Sequence, residues 1–289
     1  MILVSAEKFF LWVQRQLKIG GDEESFYLLL DLDGGISKKE LNNLKINQVE
    51  NIKLKTTLFS IENKWIKHLK ESIPIQYLCS NTYWRDLQLY VSEDVLIPRS
   101  ESELIVDIAT NLITDSEKQI IFCDLGTGSG AIAIALSLLR PKWIGYASDI
   151  DQNVINIALQ NFNKLSNASN MNFCCGNWWE PLKSISGNID LAVSNPPYIP
   201  EAVYKKLPPE IKNYEPKLAL HGGEDGLANI NQIIKDAPIY LKQKGWLIIE
   251  NHFDQGLAVK NIFSENGFDS IKVIDDLCGV GRFTIGRYK

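Results

Sequence analysis

From about residue 119 onward, short apolar runs alternate with amphipathic stretches, and this alternation limits the fold more than any other feature of the chain. The apolar runs are Gln119–Asp124, Trp143–Asp149, Met171–Cys175, Ile189–Ser194, Gly245–Asn251, Ser270–Ile274 and Arg282–Arg287, each of strand length. Helical stretches near 130–140, 152–165, 227–242 and 256–267 separate the first several. Such a succession predicts an α/β fold, a doubly wound and mostly parallel sheet with both faces covered. Only Asp275–Gly281 separates the last two runs, which is too short for a crossover helix. They are expected to form an antiparallel pair at one edge.

The first part of the chain has a different texture. Residues from about 5 to 72 read as helical. Ser5 can cap a segment carrying Phe9, Phe10, Trp12, Val13 and Leu17, which Gly20-Gly21 ends. A second segment starts at Asp22, and Ser37-Lys38-Lys39-Glu40 has the form of a capping box ahead of Leu41 and Leu44. A longer helix over about 54–71 carries Leu58, Ile61, Trp65, Ile66 and Leu69. Four short amphipathic helices predict a small bundle with its own core. After Pro74 the chain turns to Thr, Tyr, Trp and alternating apolar residues (Leu87, Leu89, Val91), which predicts a β-hairpin within Tyr77–Val95. The expected division is a helical domain over 1–73, a linker with a hairpin over 74–98, and a larger α/β domain over 99–289.

Composition excludes several classes. The 289 residues are 45% hydrophobic and 22% charged, enough for a substantial core. No apolar run approaches a membrane span, and charged residues follow Met1-Ile2-Leu3-Val4 closely, so neither a membrane segment nor a signal peptide is expected. The five cysteines (Cys79, Cys123, Cys174, Cys175, Cys278) are odd in number and form no C-x-x-C pair. A disulfide framework and a zinc site are therefore not expected, and a reducing, cytoplasmic setting is. His68, His221 and His252 are scattered, which argues against a metal centre or a Ser-His-Asp triad. The net charge of −5 lacks the strongly basic balance of a DNA or RNA binder, though an average leaves a local basic patch open.

Chemistry gathers at the ends of the predicted strands. The first ends in Asp124-Leu125-Gly126-Thr127-Gly128-Ser129-Gly130-Ala131. Glycines between a strand and a helix let backbone approach a ligand at the carboxyl edge of the sheet. Asp149 ends the second strand, where a carboxylate can hold both hydroxyls of a ribose. Gly126-x-Gly128-x-x-Ala131 also satisfies a loose dinucleotide fingerprint, so a nicotinamide dinucleotide and a purely structural turn are both alternatives. Asp124 tells against the dinucleotide: a carboxylate beside the loop serves a pyrophosphate poorly and suits an ammonium. The pattern favours S-adenosyl-L-methionine, which carries no phosphate. Past the third strand, Asn177 can contact an adenine and Trp178 can pack on its ring, whereas Trp179 reads as a core aromatic.

The fourth strand runs into Asn195-Pro196-Pro197-Tyr198. Two prolines fix φ and supply no N–H, so this stretch neither extends the sheet nor starts an ordinary helix. It leaves a stiff set of acceptors, the Asn195 side-chain oxygen and the Pro196 carbonyl, beside the Tyr198 ring. That set suits a flat NH₂ group. Taken alone, it is equally a proline-rich turn.

With the glycine loop, Asp149 and Asn195–Tyr198 in this order, the chain resembles class I adenosylmethionine-dependent methyltransferases that act on an amide or amino nitrogen. Within that class it resembles the release-factor glutamine methyltransferases more closely. Pro74-Ile75-Gln76-Tyr77-Leu78, Val95-Leu96-Ile97-Pro98-Arg99, Gly222-Gly223-Glu224-Asp225-Gly226-Leu227 and the Asp276, Gly279, Arg282 set carry that resemblance further. It departs in having Ser100-Glu101-Ser102-Glu103 for the usual Pro-Glu-Thr-Glu, and Asn177 for a common Asp. The resemblance implies a helical substrate-recognition domain, a seven-stranded catalytic domain, and methylation of the glutamine N5 in the Gly-Gly-Gln loop of class I peptide release factors. It implies Asn195, Pro196 and Tyr198 as catalytic residues, with Pro197 completing the substrate loop. Asp124, Gly126, Thr127, Gly128, Ser129, Gly130, Asp149, Asn177, Trp178 and Asn195 are implied as the cofactor site. Arg99, Glu101 and Glu103 are expected in salt bridges or helix capping and not in a chemical step. A monomer is expected. A ribosomal-protein glutamine, an adenine N6 in DNA, and a non-catalytic binding module that keeps the cofactor fold remain as alternatives.

Overall fold

A computed structural model describes every residue except 116 and 167. The chain divides into two compact units, one of residues 1–82 with 209–214 and the other of residues 83–208 with 215–289.

The first unit holds β1 (Ile2–Ser5), α1 (Ala6–Ile19), α2 (Glu23–Leu29), α3 (Lys38–Ile46), β2 (Asn51–Leu54), α4 (Leu58–Glu71) and α5 (Ile75–Cys79). A π-turn over Leu30–Gly34 extends α2. Asp22, Ser37 and Thr57 cap their helices by accepting the N–H three residues on, and Gly20 at φ 134° ends α1. Phe9, Trp12, Phe26, Leu29, Ile61 and Trp65 fill the core, with the Phe26 and Trp65 rings 5.2 Å apart, edge to face.

Two features correct the sequence expectation. The unit is not purely helical, because β1 pairs antiparallel with β2, Val4 opposite Ile52. Asn51-Ile52-Lys53-Leu54 buries every second residue, a period of two that the neighbouring helical patterns obscure. Ser5 makes no side-chain cap because it belongs to that strand pair. The expected hairpin is also shorter than Tyr77–Val95. Its first residues form α5, and only β3 (Thr82–Trp84) and β4 (Leu87–Leu89) pair. The left-handed Arg85 (φ 50°) turns the chain between them.

The second unit continues with α6 (Glu103–Leu112), β5 (Ile121–Leu125), α7 (Ala131–Leu139), β6 (Ile144–Asp149), α8 (Gln152–Leu165), β7 (Met171–Cys175) and β8 (Ile189–Ser194). Three single turns follow, α9 (Glu201–Tyr204), α10 (Pro209–Lys212, part of the first unit) and α11 (Lys217–Leu220). The chain closes with α12 (Ala228–Tyr240), β9 (Leu241–Glu250), α13 (Gly256–Glu265), β10 (Phe268–Asp275) and β11 (Gly281–Tyr288). The sheet order is β10-β11-β9-β8-β5-β6-β7. β5 through β9 are mutually parallel, while β11 runs antiparallel between β9 and β10. All seven sequence-predicted strands are present, with the antiparallel pair at the edge.

Successive residues on a strand leave for opposite faces. Phe122, Leu191, Val193 and Ile248 pack under α6 and α7. Cys123, Leu125, Ala192, Leu247 and Ile249 pack under α12 and α13. The strand order reverses at β5, so the loops after β5 and β8 leave neighbouring strands in opposite directions. A crevice opens there, at the carboxyl edge of the sheet.

Candidate active site

The crevice is a cavity of about 400 Å³, within the range of small-ligand sites. Its wall includes Gly126, Thr127, Gly128 and Ser129 from the loop after β5, Asp149 from β6, Asn177 and Trp178 after β7, and Asn195 and Pro197 after β8. Arg99 and Ser102, ahead of α6, complete the side near Asn195. Four of the sequence-predicted residues do not reach the wall: Asp124, Gly130, Pro196 and Tyr198.

The glycine loop takes its shape from left-handed backbone at Gly126 (φ 72°), Gly128 (φ 56°) and Gly130 (φ 84°). A Cβ on Gly126 would stand 3.0 Å from the Trp178 ring, while one on Gly128 would meet nothing within 4 Å. Gly126 thus admits the indole, and Gly128 leaves its backbone open to the cavity. Trp178 is itself left-handed at φ 46°, an uncommon state for a bulky residue, and its carbonyl accepts from Ser148 Oγ at 3.0 Å. Trp179 faces the other way. It is 2% exposed, stacks on Tyr240 at 5.1 Å and donates Nε1–H to the Ile233 carbonyl, as a core residue should.

Asp124 lies just behind the wall. Its Oδ2 accepts from Thr127 Oγ1 at 2.7 Å and from Ala133 N at 3.2 Å. Its Oδ1 is buried with no protein partner. Burial drives the carboxyl up to about 7, against the two hydrogen bonds that favour its ionised form. A buried carboxylate with one empty acceptor is the environment a cation relieves, so the residues fit an ammonium at this point. Asp149 accepts from Gly128 N at 3.0 Å, and burial raises its carboxyl as well.

At the end of β8, Asn195 donates Nδ2–H to Ser102 Oγ at 2.9 Å. Among the described residues, no donor reaches Asn195 Oδ1. The carbonyls that follow divide the same way. Pro197 O accepts from Asn229 Nδ2 at 3.1 Å and Tyr198 O from Gln255 Nε2 at 3.1 Å, whereas no protein donor among the described residues takes Pro196 O. Two acceptors are therefore left over at adjacent residues.

Tyr198 is turned inward. Its hydroxyl donates to Glu250 Oε1 at 3.1 Å, and Ser102 Oγ donates to Glu250 Oε2 at 2.7 Å. Glu250 is 1% exposed, and burial lifts its carboxyl to about 7 although Ser102, Tyr198 and Arg282 all favour the carboxylate. Burial pushes the Tyr198 phenol up strongly, so it stays protonated. Neither Ser102 nor Glu250 was picked out from the sequence. The available signal was an acid ending an apolar strand, Leu247-Ile248-Ile249-Glu250, at the same sheet edge as Asp124 and Asp149. Of the charged residues around the start of α6, Arg99 is in a salt bridge, as expected. Arg99 binds both Glu215 oxygens at 2.7 and 2.6 Å, and Glu103 Oε1 accepts from Arg85 N at 3.0 Å. Among the described residues, no His, Cys, Asp and Glu group could hold a metal ion, and no helix is long and apolar enough to cross a membrane.

The chain was compared with known proteins. A family model described as a methyltransferase domain matches residues 116–272. A release factor glutamine methyltransferase of Prochlorococcus marinus is 40% identical over 280 residues, covering 96% of each chain. Its counterpart from Synechocystis is 36% identical over 291 residues, covering 98% of this chain and 97% of the relative. A methyltransferase from Pyrococcus furiosus, known from its crystal structure, matches in fold with a TM-score of 0.50 at 19% identity, over 78% of this chain and 93% of that one.

Proposed function

The chain belongs to the release factor glutamine methyltransferase family, and on that premise we propose that it methylates the side-chain amide nitrogen (N5) of the glutamine in the Gly-Gly-Gln loop of class I peptide release factors. S-adenosyl-L-methionine supplies, when bound, an electrophilic methyl on a positively charged sulfur. The observation that carries this reading is Asn195: it lines the same cavity as the glycine loop, its Nδ2 is engaged, and its Oδ1 is free to accept.

We assign Asp124 Oδ1 to the cofactor's ammonium, Asp149 to its ribose, and Gly126, Thr127, Gly128 and Ser129 to backbone approach. Asn177 and Trp178 take the adenine. Gly130, off the wall, starts α7 and lets it close on Ala158, to which a Cβ at Gly130 would come within 3.2 Å.

A primary amide is a poor nucleophile because its lone pair is delocalised into the carbonyl. Asn195 Oδ1, on the cavity wall, accepts one N–H of the glutamine amide, and the other is assigned to the unpartnered carbonyl of Pro196, the next residue, which does not itself line the cavity. This orients the nitrogen and supplies the proximity that an unbound amide lacks. The same two acceptors stabilise the positive charge that grows on nitrogen as its new bond forms, and the proton leaves afterwards. Pro197 stiffens the loop, and Tyr198, held by Glu250, backs it. The N-terminal unit is assigned the recognition of the release factor.

Incubation with labelled adenosylmethionine and, separately, a release factor, its Gly-Gly-Gln→Gly-Gly-Ala variant, a large-subunit ribosomal protein and DNA tests the reading. Label is expected on the intact release factor alone. Label on DNA, or label surviving the Gln→Ala change, would overturn it.

A further inference from the structure

An asparagine amide rotated by half a turn exchanges an acceptor for a donor with almost no change in shape. Only its neighbours decide which atom faces a substrate. For Asn195 those neighbours are Ser102, just before α6, and Glu250, at the end of β9. Asn195 Nδ2 donates to Ser102 Oγ at 2.9 Å, and Ser102 Oγ donates to Glu250 Oε2 at 2.7 Å. An ionised carboxylate has no proton to give. Ser102 must commit its single proton to Glu250 and can then only accept from Asn195. The amide is left with NH₂ inward and Oδ1 toward the cavity. We propose that Ser102 and Glu250 are positioning residues that lock Asn195 with Oδ1 presented to the NH₂ group being methylated. The proposal rests on the methyl-transfer reading above.

The second carboxylate oxygen strengthens the case. Glu250 Oε1 accepts from Tyr198 OH at 3.1 Å, so one carboxylate fixes the hydrogen-bond polarity at both ends of Asn195-Pro196-Pro197-Tyr198. Packing does not require an acid there. Glu250 and Ser102 are 1% and 3% exposed, and a buried carboxylate is costly unless its role repays it. A glutamine of the same size would fill the space, yet its amide could turn either way and would not dictate the direction of the Ser102 proton.

The arrangement depends on ionisation. The charged and titratable groups around Glu250 are Tyr198 from the loop after β8, Arg282 from β11 and Glu101 ahead of α6. Arg282 is itself tied to Asp276 at 2.9 Å, and the His252 ring lies 6.3 Å from that of Tyr198. Burial outweighs the favourable contacts and raises the carboxyl to about 7. Protonated Glu250 can donate to Ser102, whose own proton is then free to turn to Asn195. The amide then turns over and presents a donor to a donor. The competent state is therefore the ionised one, present above about pH 7.

The test pairs kinetics with a measurement independent of turnover. For S102A and E250Q, kcat is expected to fall by about tenfold to a hundredfold, while the Kd for S-adenosylhomocysteine stays within about twofold of wild type. S102T, which keeps the hydroxyl, should restore kcat to within about threefold. In parallel, the Asn195 side-chain ¹⁵N–¹H₂ resonances, identified by their loss in N195D, should move with pH about a midpoint near 7 in the wild type and lose that response in E250Q and S102A. Unchanged kcat in S102A, equal losses in S102T and S102A, or resonances indifferent to both variants would refute the locking role. If the wild type fails to label a release factor while the resonances respond as described, the substrate assignment fails and the lock stands.

Discussion

Asp124 offers the sharpest prediction. Its carboxyl is buried and raised from 3.8 to about 7, with Oδ2 held by Thr127 and Ala133 and Oδ1 unpartnered. An ammonium at Oδ1 requires the carboxylate, so cofactor binding must expel a proton whenever Asp124 starts protonated. With a pKa of about 7, roughly nine-tenths of the free protein is competent at about pH 8 and roughly one-tenth at about pH 6. The apparent Kd for S-adenosylhomocysteine, which carries the same ammonium, should therefore weaken by roughly tenfold across that interval, or about 1.4 kcal/mol. Titration calorimetry in buffers of different ionisation enthalpy reads both the affinity and the proton released. In Asp124→Asn the affinity at about pH 8 should fall by at least tenfold, and most of the slope should vanish. Asp149, also raised by burial, accounts for any remainder.

The stability of the ligand-free protein supplies a second reading with a fixed sign. A carboxyl whose folded pKa lies above its unfolded value contributes stability that is fully present below about 4. That contribution is lost as pH rises through about 7. The shift of about three units bounds the effect at about 4 kcal/mol. Asp124→Asn should therefore raise the melting temperature of the ligand-free protein above neutrality and lose that advantage in acid, even as it weakens cofactor binding. Wild-type affinity that is flat between about pH 6 and about pH 8, or an asparagine variant that binds as tightly as wild type, would refute the assignment of Oδ1 to a cation.

Other expectations follow from the same geometry. Asn195→Ala should reduce methyl transfer to background while leaving cofactor affinity within about tenfold, if its Oδ1 orients substrate as proposed; single-turnover rates and calorimetry separate the two. The adjacent tryptophans should part company. Trp178→Ala should weaken cofactor binding with a small change in melting temperature. Trp179→Ala, which removes a buried indole stacked on Tyr240, should cost about 3–5 kcal/mol in denaturant unfolding. Arg99→Ala strands Glu215, whose side chain is only 2% exposed, and should destabilise by about 2 kcal/mol, less than for a fully buried pair because Arg99 is 34% exposed. Arg99→Ala,Glu215→Gln should recover part of that loss.

The sheet was legible in the sequence because its signals are local. A buried parallel strand must be apolar throughout, a crossover needs a helix, and Asp275–Gly281 is too short for one, so all seven strands and the edge pair could be read from runs and spacings. The glycine loop was legible for the same reason, since its left-handed turns and its helix start lie within six residues. Where two periodicities overlapped, the reading failed. Asn51–Leu54 alternates for only four residues between helical patterns, and β1 has a partner only across that gap.

The part of the candidate site that was not legible is the part that orients Asn195. Ser102 and Glu250 are 148 residues apart in the chain, and each has an adequate local explanation: a serine beside a helix start, an acid at a strand end. Sheet order brings them together. β9 lies beside β8, so Glu250 ends level with the loop that begins at Asn195. α6 packs over the same strands, which carries the residue ahead of it to the same edge. A motif such as Asn-Pro-Pro-Tyr can therefore state which atoms are available for a flat NH₂ group. It cannot state which way the asparagine faces, because that choice belongs to a proton on Ser102 and a charge on Glu250.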